Sequence, residues 1–96
     1  MNYSFLEAAK EELEEAVKYY EEQREGLGRE FAQEITTTIT RIQEYPDAWA
    51  KISKNARCCR TKRFPYGIIY TVRGEEILIL AVMHLHRKPG YWKKRL

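Results

Sequence analysis

The stretch Glu76–Trp92, E-I-L-I-L-A-V-M-H-L-H-R-K-P-G-Y-W, decides how this sequence folds. Its part from Ile77 to Val82 is apolar at every position and rich in branched side chains. A strand with one solvent face would alternate apolar and polar residues, so a run that is apolar on both faces predicts a strand covered on each side. We therefore expect this segment to be the central strand of a small sheet.

The chemistry changes abruptly at the end of this strand. Alternation places Val82, His84 and His86 on one face, and Met83 and Leu85 on the other. A cationic and aromatic tail follows: Arg87, Lys88, Pro89, Gly90, Tyr91, Trp92, Lys93, Lys94 and Arg95. Two imidazoles, a phenol and several cations thus reach one rim of the sheet, where we expect the functional site.

Length and composition predict one soluble domain. The 96 residues are enough for a single modest core, and 44% hydrophobic with 32% charged residues is ordinary for a globular protein. The longest apolar run is too short to span a membrane and no leader opens the chain, so we expect a cytoplasmic protein without membrane contact. The adjacent Cys58 and Cys59 also differ from the spaced cysteines of small secreted domains.

The net charge of +3 hides a strong asymmetry between the two halves of the chain. Residues 1–48 contain 5 Lys and Arg against 12 Asp and Glu (5 − 12 = −7). Residues 49–96 contain 12 Lys and Arg against 2 Asp and Glu (12 − 2 = +10). This pattern indicates either that the second half meets a polyanion or an acidic protein segment, or that one acidic and one basic face are simply solvated.

The first half predicts two helices after a short N-terminal segment. Asn2–Phe5 fits an edge strand, although Ser4 and Glu7 also have the spacing of a helix capping box. The first helix, Leu6 to about Arg24, has an apolar stripe at Ala9, Leu13, Ala16, Val17 and Tyr20. The second helix follows the break Gly26-Leu27-Gly28 and ends before Pro46, with a stripe at Phe31, Ile35, Thr38, Ile39 and Ile42. The short loop makes these helices antiparallel neighbours.

The second half predicts strands. Tyr45–Ala56 is expected to be mostly loop, anchored on the core by Trp49 and Ile52. Arg57–Arg63 and Tyr66–Val72 alternate as strands, and a glycine turn joins the latter to the central strand. The fold class is therefore α+β, with an N-terminal helical hairpin packed on a small antiparallel β-sheet in the order β-α-α-β-β-β.

The histidines and cysteines offer two kinds of site. His84 and His86 with a cysteine would be metal ligands, but no second clustered pair with recognised ligand spacing is present, so we expect no metal and no cofactor. Either histidine is instead a structural group or a general acid–base. The cysteines point to opposite faces, which favours a packing role.

The basic strands present the composition of an interaction surface. Its cations are Arg57, Arg60, Lys62, Arg63, Arg87, Lys88, Lys93 and Lys94, interleaved with Tyr66, Tyr91 and Trp92. Such a surface suits a nucleic acid, and it suits equally well an acidic peptide that folds as it binds. The residues alone leave both partners open.

A succession of short motifs runs in order along nearly the whole chain. They are Ala9, Leu13, Tyr19-Tyr20-Glu21, Gly26-Leu27-Gly28, Phe31, Ile42, Pro46, Arg57, Phe64-Pro65-Tyr66, Ile69-Tyr70, Val82-Met83-His84 and Arg87-Lys88-Pro89-Gly90-Tyr91-Trp92. This succession resembles the RelE/ParE superfamily of toxins from bacterial type II toxin–antitoxin modules. The resemblance implies the α+β fold predicted above and a cognate antitoxin that wraps and neutralises the toxin. It also implies that operator DNA is reached only through that antitoxin.

The superfamily has two kinds of target. RelE-like members cleave messenger RNA on the ribosome, whereas ParE-like members poison DNA gyrase. By resemblance, the catalytic set of a nuclease would be Arg60, Lys62, His84, His86, Arg87 and Tyr91. The set that binds the antitoxin or the target would be Arg57, Arg60, Lys62, Arg63, Arg87, Lys88, Trp92 and Lys93.

Two departures from the nuclease pattern favour the ParE-like branch. Gly67 stands where that pattern has an arginine, and Leu85 replaces another basic position. The long first helix also resembles the ParE hairpin. We therefore expect a gyrase poison that is not itself an enzyme. The alternatives are a RelE-like, ribosome-dependent endonuclease and a non-catalytic, basic RNA-binding module.

Overall fold

The computed structural model describes all 96 residues. The elements in chain order are β1 (Asn2–Phe5), α1 (Glu7–Gln23), α2 (Leu27–Glu44), β2 (Ala50–Ser53), β3 (Ala56–Arg60), β4 (Tyr66–Arg73) and β5 (Glu76–His84). A short 3-10 helix at Tyr91–Arg95, called here the C-terminal helix, ends the chain. No helix combines the length and the apolar composition that a membrane span requires.

The α+β class is confirmed, and the sheet is mixed rather than purely antiparallel. Its order is β1-β5-β4-β3-β2. β1 lies parallel to β5, because the chain crosses from one to the other through the whole helical hairpin, whereas the remaining neighbours are antiparallel. β5 is consequently an interior strand next to the edge strand β1, and β4 is the middle strand.

The start of the chain is a strand and not a helix cap. The hydroxyl of Ser4 donates a hydrogen bond to Glu76 Oε1 at 2.9 Å across the β1–β5 pair. Leu6 is the residue before α1, and no side chain caps that helix. Pairing with β5 therefore prevails over the capping-box pattern, because the sheet ladder satisfies several main-chain groups where a cap would satisfy two.

The segment predicted as loop contains an additional edge strand, β2. Ala50 and Lys51 pair with Cys58 and Arg57 in a short hairpin. Trp49 packs on the core as expected, but Ile52 is 39% exposed, so its predicted role as an anchor is wrong. A four-residue strand without clear alternation has little signal in sequence, because its pairing depends on β3.

The strand predicted at Arg57–Arg63 ends at Arg60. The Thr61 hydroxyl donates to the carbonyl of Phe64 at 2.6 Å, and the main-chain N–H of Thr61 donates to the carbonyl of Tyr66 at 3.0 Å. These bonds close a tight turn in front of β4. Cations beyond Arg60 therefore lie on a turn, and their side chains do not alternate between the sheet faces.

The sheet separates two apolar clusters. The helices cover one face, where the larger cluster includes Phe31, Ile39, Ile68, Tyr70 and Ile79. The other face, called here the second face, carries a smaller cluster formed by Ala56, Ile69, Leu80, Ala81 and Trp92. β5 is thus covered on both sides as its apolar run predicts, with Leu80 0% exposed.

A β-bulge interrupts the alternation of β5. Ile69 pairs with Ala81 and Tyr70 pairs with Ile79, which leaves Leu80 as the extra residue. Val82 and His84 consequently share the helix-covered face with Ile79, although strict alternation from Ile79 would place them on the second face. The bulge sets which way the end of the strand points, and so it positions the residues that follow.

Candidate functional site

An apolar groove on the second face is the largest well-bounded concavity near the predicted site. It has a volume of about 430 Å³. Its lining residues are Trp49, Ala50, Ile52, Cys58, Arg60, Met83 and Leu85. Six of the seven are apolar, and Arg60 supplies the one charge, so this groove suits an apolar ligand surface with an acidic neighbour.

Gly67 has no side chain, and this leaves space between the strands that line the groove. It lies in register between Arg60 on β3 and Met83 on β5. A Cβ atom at this position would lie 2.7 Å from Cys58 Sγ and 3.5 Å from the Leu85 side chain. The position where the nuclease pattern has an arginine therefore lacks a cation and is closely bordered by apolar side chains.

Some cations of β3 and the turn after it are exposed to solvent, and others make hydrogen bonds within the protein. Arg60 and Lys62 are exposed at the end of the sheet. The Lys62 main-chain N–H donates to Glu34 Oε2 at 2.7 Å, which fixes the turn and leaves its ammonium in solvent. Arg57 points to the helix-covered face and donates from Nη1 to the carbonyl of Trp49 at 2.9 Å, so it holds the loop before β2.

Arg63 is engaged with the helical hairpin. Its guanidinium lies 2.8 Å from Glu30 Oε1 and 5.0 Å from the ring centroid of Phe64. The hydrogen bond from Arg63 lowers the pKa of the Glu30 carboxyl, with Arg24 contributing further. Both side chains are largely solvated, so this pair contributes little to stability. Lys88 and Lys93 are exposed and make no ion pair.

A cluster at the outer edge of β5 contains the cation and the phenol predicted by the C-terminal motif. Arg87 lies 3.8 Å from the ring centroid of Tyr91, and Arg95 lies 5.0 Å from it. Glu12 of α1 accepts from both arginines, with the closest approach of 2.9 Å to Arg95 Nη1 and of 3.4 Å to Arg87 Nη1. The cluster therefore joins the first helix, the end of β5 and the C-terminal helix.

Glu12 and Arg95 also complete the hydrogen bonding of the bulge. The main-chain N–H of Val82 donates to Glu12 Oε1 at 3.1 Å, and Arg95 Nη1 donates to the carbonyl of Leu80 at 2.9 Å. β1 pairs with β5 only up to Ile79, so these two side chains take over where the strand ladder ends.

This cluster is not predictable from the sequence pattern. Glu12 lies in the acidic first half of the chain and Arg95 in its cationic tail, but their side chains are only 12% and 20% exposed. A pair separated by 83 positions leaves no periodic signal. The only hint is the C-terminal motif itself, whose aromatic residues indicate that the tail packs on the sheet.

Tyr91 and Trp92 are placed by packing. The Tyr91 hydroxyl is buried and has no hydrogen-bond partner. Burial raises the pKa of this phenol well above its usual range, and the neighbouring Glu12 carboxylate raises it further. Trp92 is 3% exposed in the second-face cluster, so it is a core residue rather than the surface contact expected from the tail.

The histidines lie near each other but do not share a strand. β5 ends at His84, whose ring centroid is 5.1 Å from that of Tyr66. His86 lies in the following turn, and its main-chain N–H donates to His84 Nδ1 at 3.1 Å. His84 Nδ1 therefore accepts a main-chain hydrogen bond that stabilises this turn.

The cysteines have the properties of packing residues. Burial raises the pKa of both thiols, that of Cys59 to about 11. Both are therefore protonated near neutral pH, and a protonated thiol is a weak nucleophile.

The predicted nuclease residues are not assembled into one cluster. Arg60 and Lys62 extend from β3, while Arg87 and Tyr91 contact Glu12 beyond the outer edge of β5, and β4 lies between the two strands. No hydrogen bond or ion pair links these two groups. The structure instead forms an apolar groove with one cation, Arg60, in its lining.

Comparison with known proteins identifies the class. A helical hairpin packed on a small sheet with a basic end is the architecture of a RelE/ParE-like toxin. The family model described as the ParE toxin of the type II toxin–antitoxin system parDE matches residues 3–89, and the chain belongs to this family.

A solved structure from P. aeruginosa, described as the chromosomal ParDE toxin–antitoxin system, superposes with a TM-score of 0.75 at 20% identity. The match covers 90% of this chain and 97% of that chain, and it confirms the fold. A search among curated proteins finds no match.

Proposed function

We propose that this protein arrests bacterial growth by poisoning DNA gyrase and that a cognate antitoxin neutralises it. Membership of the ParE toxin family supports the proposal. In this proposal the chain acts in the cytoplasm as a single domain, without a cofactor, and makes its contacts through the second face and the basic end of the sheet.

The environment of Tyr91 is the observation that favours gyrase over messenger RNA as the target. Metal-free phosphodiester cleavage needs cations around the phosphate and a proton donor or acceptor beside them. The Tyr91 hydroxyl is buried, its pKa is raised, and its ring lies against Arg87 and Arg95. A phenol held in this way is a poor proton-transfer group, whereas a toxin that only docks on gyrase needs none.

The apolar groove supports the choice of antitoxin as a partner. A peptide segment with apolar anchors fits a groove of six apolar residues, and acidic residues beside those anchors would meet Arg60 and Lys62. Apolar burial would supply most of the affinity, while the charges would govern the association rate and the choice of partner.

Expression of single variants in bacteria tests the target. We expect the wild-type protein to stop growth and to trap gyrase–DNA cleavage complexes. Tyr91→Phe, His84→Gln and His86→Gln are expected to retain both effects, because no proton transfer by the toxin is required.

The nuclease alternative predicts a different result. If one of these groups transferred a proton during RNA cleavage, its removal would lower activity by roughly 10²–10⁴-fold. Messenger fragments cut at ribosomal A-site codons in the wild type and absent from the variants would contradict the gyrase proposal.

A further inference from the structure

A polar notch lies at the end of the sheet opposite the histidines. β3 begins at Ala56 and its pairing with β4 starts at Arg57 and Tyr70, whereas β4 continues to Arg73. The part of β4 after Tyr70 therefore has no strand partner on its β3 side. The resulting hairpin notch has a volume of about 220 Å³ and is formed mainly by Lys51, Lys54, Asn55, Arg57 and Thr71.

The hairpin notch collects hydrogen-bond donors that the fold does not use. Lys51 and Lys54 are exposed and take part in no ion pair, in contrast to Arg63, Arg87 and Arg95. The Asn55 amide and the Thr71 hydroxyl make no side-chain hydrogen bond within the protein. Arg57 donates from Nη1 to Trp49, and its other N–H groups remain available.

The charge of the notch is positive. Three cationic side chains line it, and Asp47 is the one carboxylate among the lining residues (3 − 1 = +2). Ammonium, guanidinium, amide and hydroxyl donors around one small cavity are the groups that bind phosphate oxygens. Three of its nine lining residues are apolar, namely Ala56, Tyr70 and Val72, against six of seven in the groove on the second face. The notch is therefore mainly polar and suits the apolar anchors of a peptide less well than that groove does.

The notch also lacks an exposed aromatic ring. Its aromatic residue is Tyr70, which is 0% exposed and donates its hydroxyl to the carbonyl of Pro46 at 2.5 Å. Proteins that bind single strands stack the bases on exposed rings, whereas contacts to a duplex backbone need only cations and polar donors. The ligand that these groups favour is therefore the backbone of a double helix.

We propose that the hairpin notch is a contact site for the phosphodiester backbone of double-stranded DNA. This chain would then bind DNA directly, in addition to any contact made through an antitoxin. The inference depends on the notch alone and holds whether or not gyrase is the target.

Titration of the purified full-length chain into a fluorescently labelled DNA duplex, read by anisotropy at several salt concentrations, tests the site. The double variant Lys51→Gln/Lys54→Gln is expected to bind about tenfold or more weakly and to reduce the salt slope by about two, because two phosphate contacts are lost. Both side chains are exposed, so the fold should be retained, and a thermal melt verifies this.

A matched control removes the same charge elsewhere. Lys10→Gln/Lys18→Gln changes two exposed lysines of α1, which is outside the notch, and it should bind DNA nearly as the wild type does. Asp47→Asn removes the only carboxylate of the notch and is expected to tighten binding several-fold.

Two results would overturn the proposal. If Lys51→Gln/Lys54→Gln and Lys10→Gln/Lys18→Gln lost the same affinity, DNA binding would depend only on the net charge of the protein. Shifts of the Asn55 and Thr71 resonances on addition of inorganic phosphate, together with no binding of the duplex, would make the notch a free-phosphate site and not a DNA contact.

Discussion

At the scale of single residues, Gly28 sets how closely the two helices approach. A Cβ atom at this position would lie 2.6 Å from the main-chain oxygen of Val17 and 3.1 Å from Glu21 Cβ. The oxygen belongs to the backbone of α1 and has no alternative rotamer. We expect Gly28→Ala to lower the free energy of unfolding by about 1–3 kcal/mol despite the better helix propensity of alanine, as measured by urea denaturation.

A control on the same helix separates this contact from propensity. Thr36 is exposed on α2, and Thr36→Ala should change the free energy of unfolding by less than about 0.5 kcal/mol in either direction. If Gly28→Ala were as stable as this control, the two helices could move apart without cost. Their close approach at Gly28 would then contribute nothing to the free energy of unfolding.

The two glycines of this turn differ in how far sequence reveals their role. Gly26 has a φ of +85°, and a glycine directly after an amphipathic stripe predicts such a left-handed turn. Gly28 lies inside α2, where its sequence neighbours give no reason for a glycine. A glycine is needed there because the carbonyl of Val17 on the other helix leaves no room for a side chain, and this contact exists only in the packed structure.

At the scale of elements, the bidentate pair of Arg95 and Glu12 fastens the C-terminal helix to β5. Arg95→Ala would leave the largely buried Glu12 carboxylate with Arg87, at 3.4 Å, as its remaining ion-pair partner. It would also remove the donor to the carbonyl of Leu80. We expect a loss of about 3 kcal/mol in the free energy of unfolding, because a largely desolvated charge loses its main partner. Chemical denaturation measures this loss.

The exposed pair Arg24–Glu30 provides the matched comparison. Its side chains are 57% and 36% exposed at a separation of 3.2 Å. Arg24→Ala should therefore cost less than about 1 kcal/mol. A similar small cost for Arg95→Ala would show that the C-terminal helix is only loosely held at the edge of β5.

Elements with a long apolar pattern were the ones that sequence predicted well. The stripes of α1 and α2 and the double covering of β5 follow from periodicity alone, and the structure confirms them. The bulge at Leu80 was not predicted, because it depends on how β5 registers with β4. The strand β2 was also not predicted, because its four residues form a strand only by pairing with β3.

At the scale of the whole molecule, part of the charge asymmetry is used in ion pairs that link the two halves of the chain. The ion pairs Arg63–Glu30, Arg87–Glu12 and Arg95–Glu12 each join the basic half to the acidic half. Composition predicts an acidic half and a basic half, but it does not reveal which cations are already paired. Arg60 at the groove and Lys62 on the turn after β3 make no ion pair, and neither do Lys51 and Lys54 at the notch.

These unpaired cations make the antitoxin proposal testable. We expect the double reversal Arg60→Glu/Lys62→Glu to weaken binding of the cognate antitoxin by about tenfold or more. Most of the loss should appear in the association rate and should shrink at high salt, because exposed charges steer encounter and are screened. Surface plasmon resonance at two ionic strengths measures both effects.

The same reversal on the acidic side of the molecule completes the test. Lys10→Glu/Lys18→Glu changes the net charge equally, but both lysines lie on α1, away from the groove. If both double variants lost the same affinity, only the overall charge would matter. If neither lost any, the antitoxin would bind elsewhere. If only Arg60→Glu/Lys62→Glu lost affinity, the two cations would determine the association rate. If Met83→Ala in addition raised the dissociation rate, the apolar groove would determine the residence time.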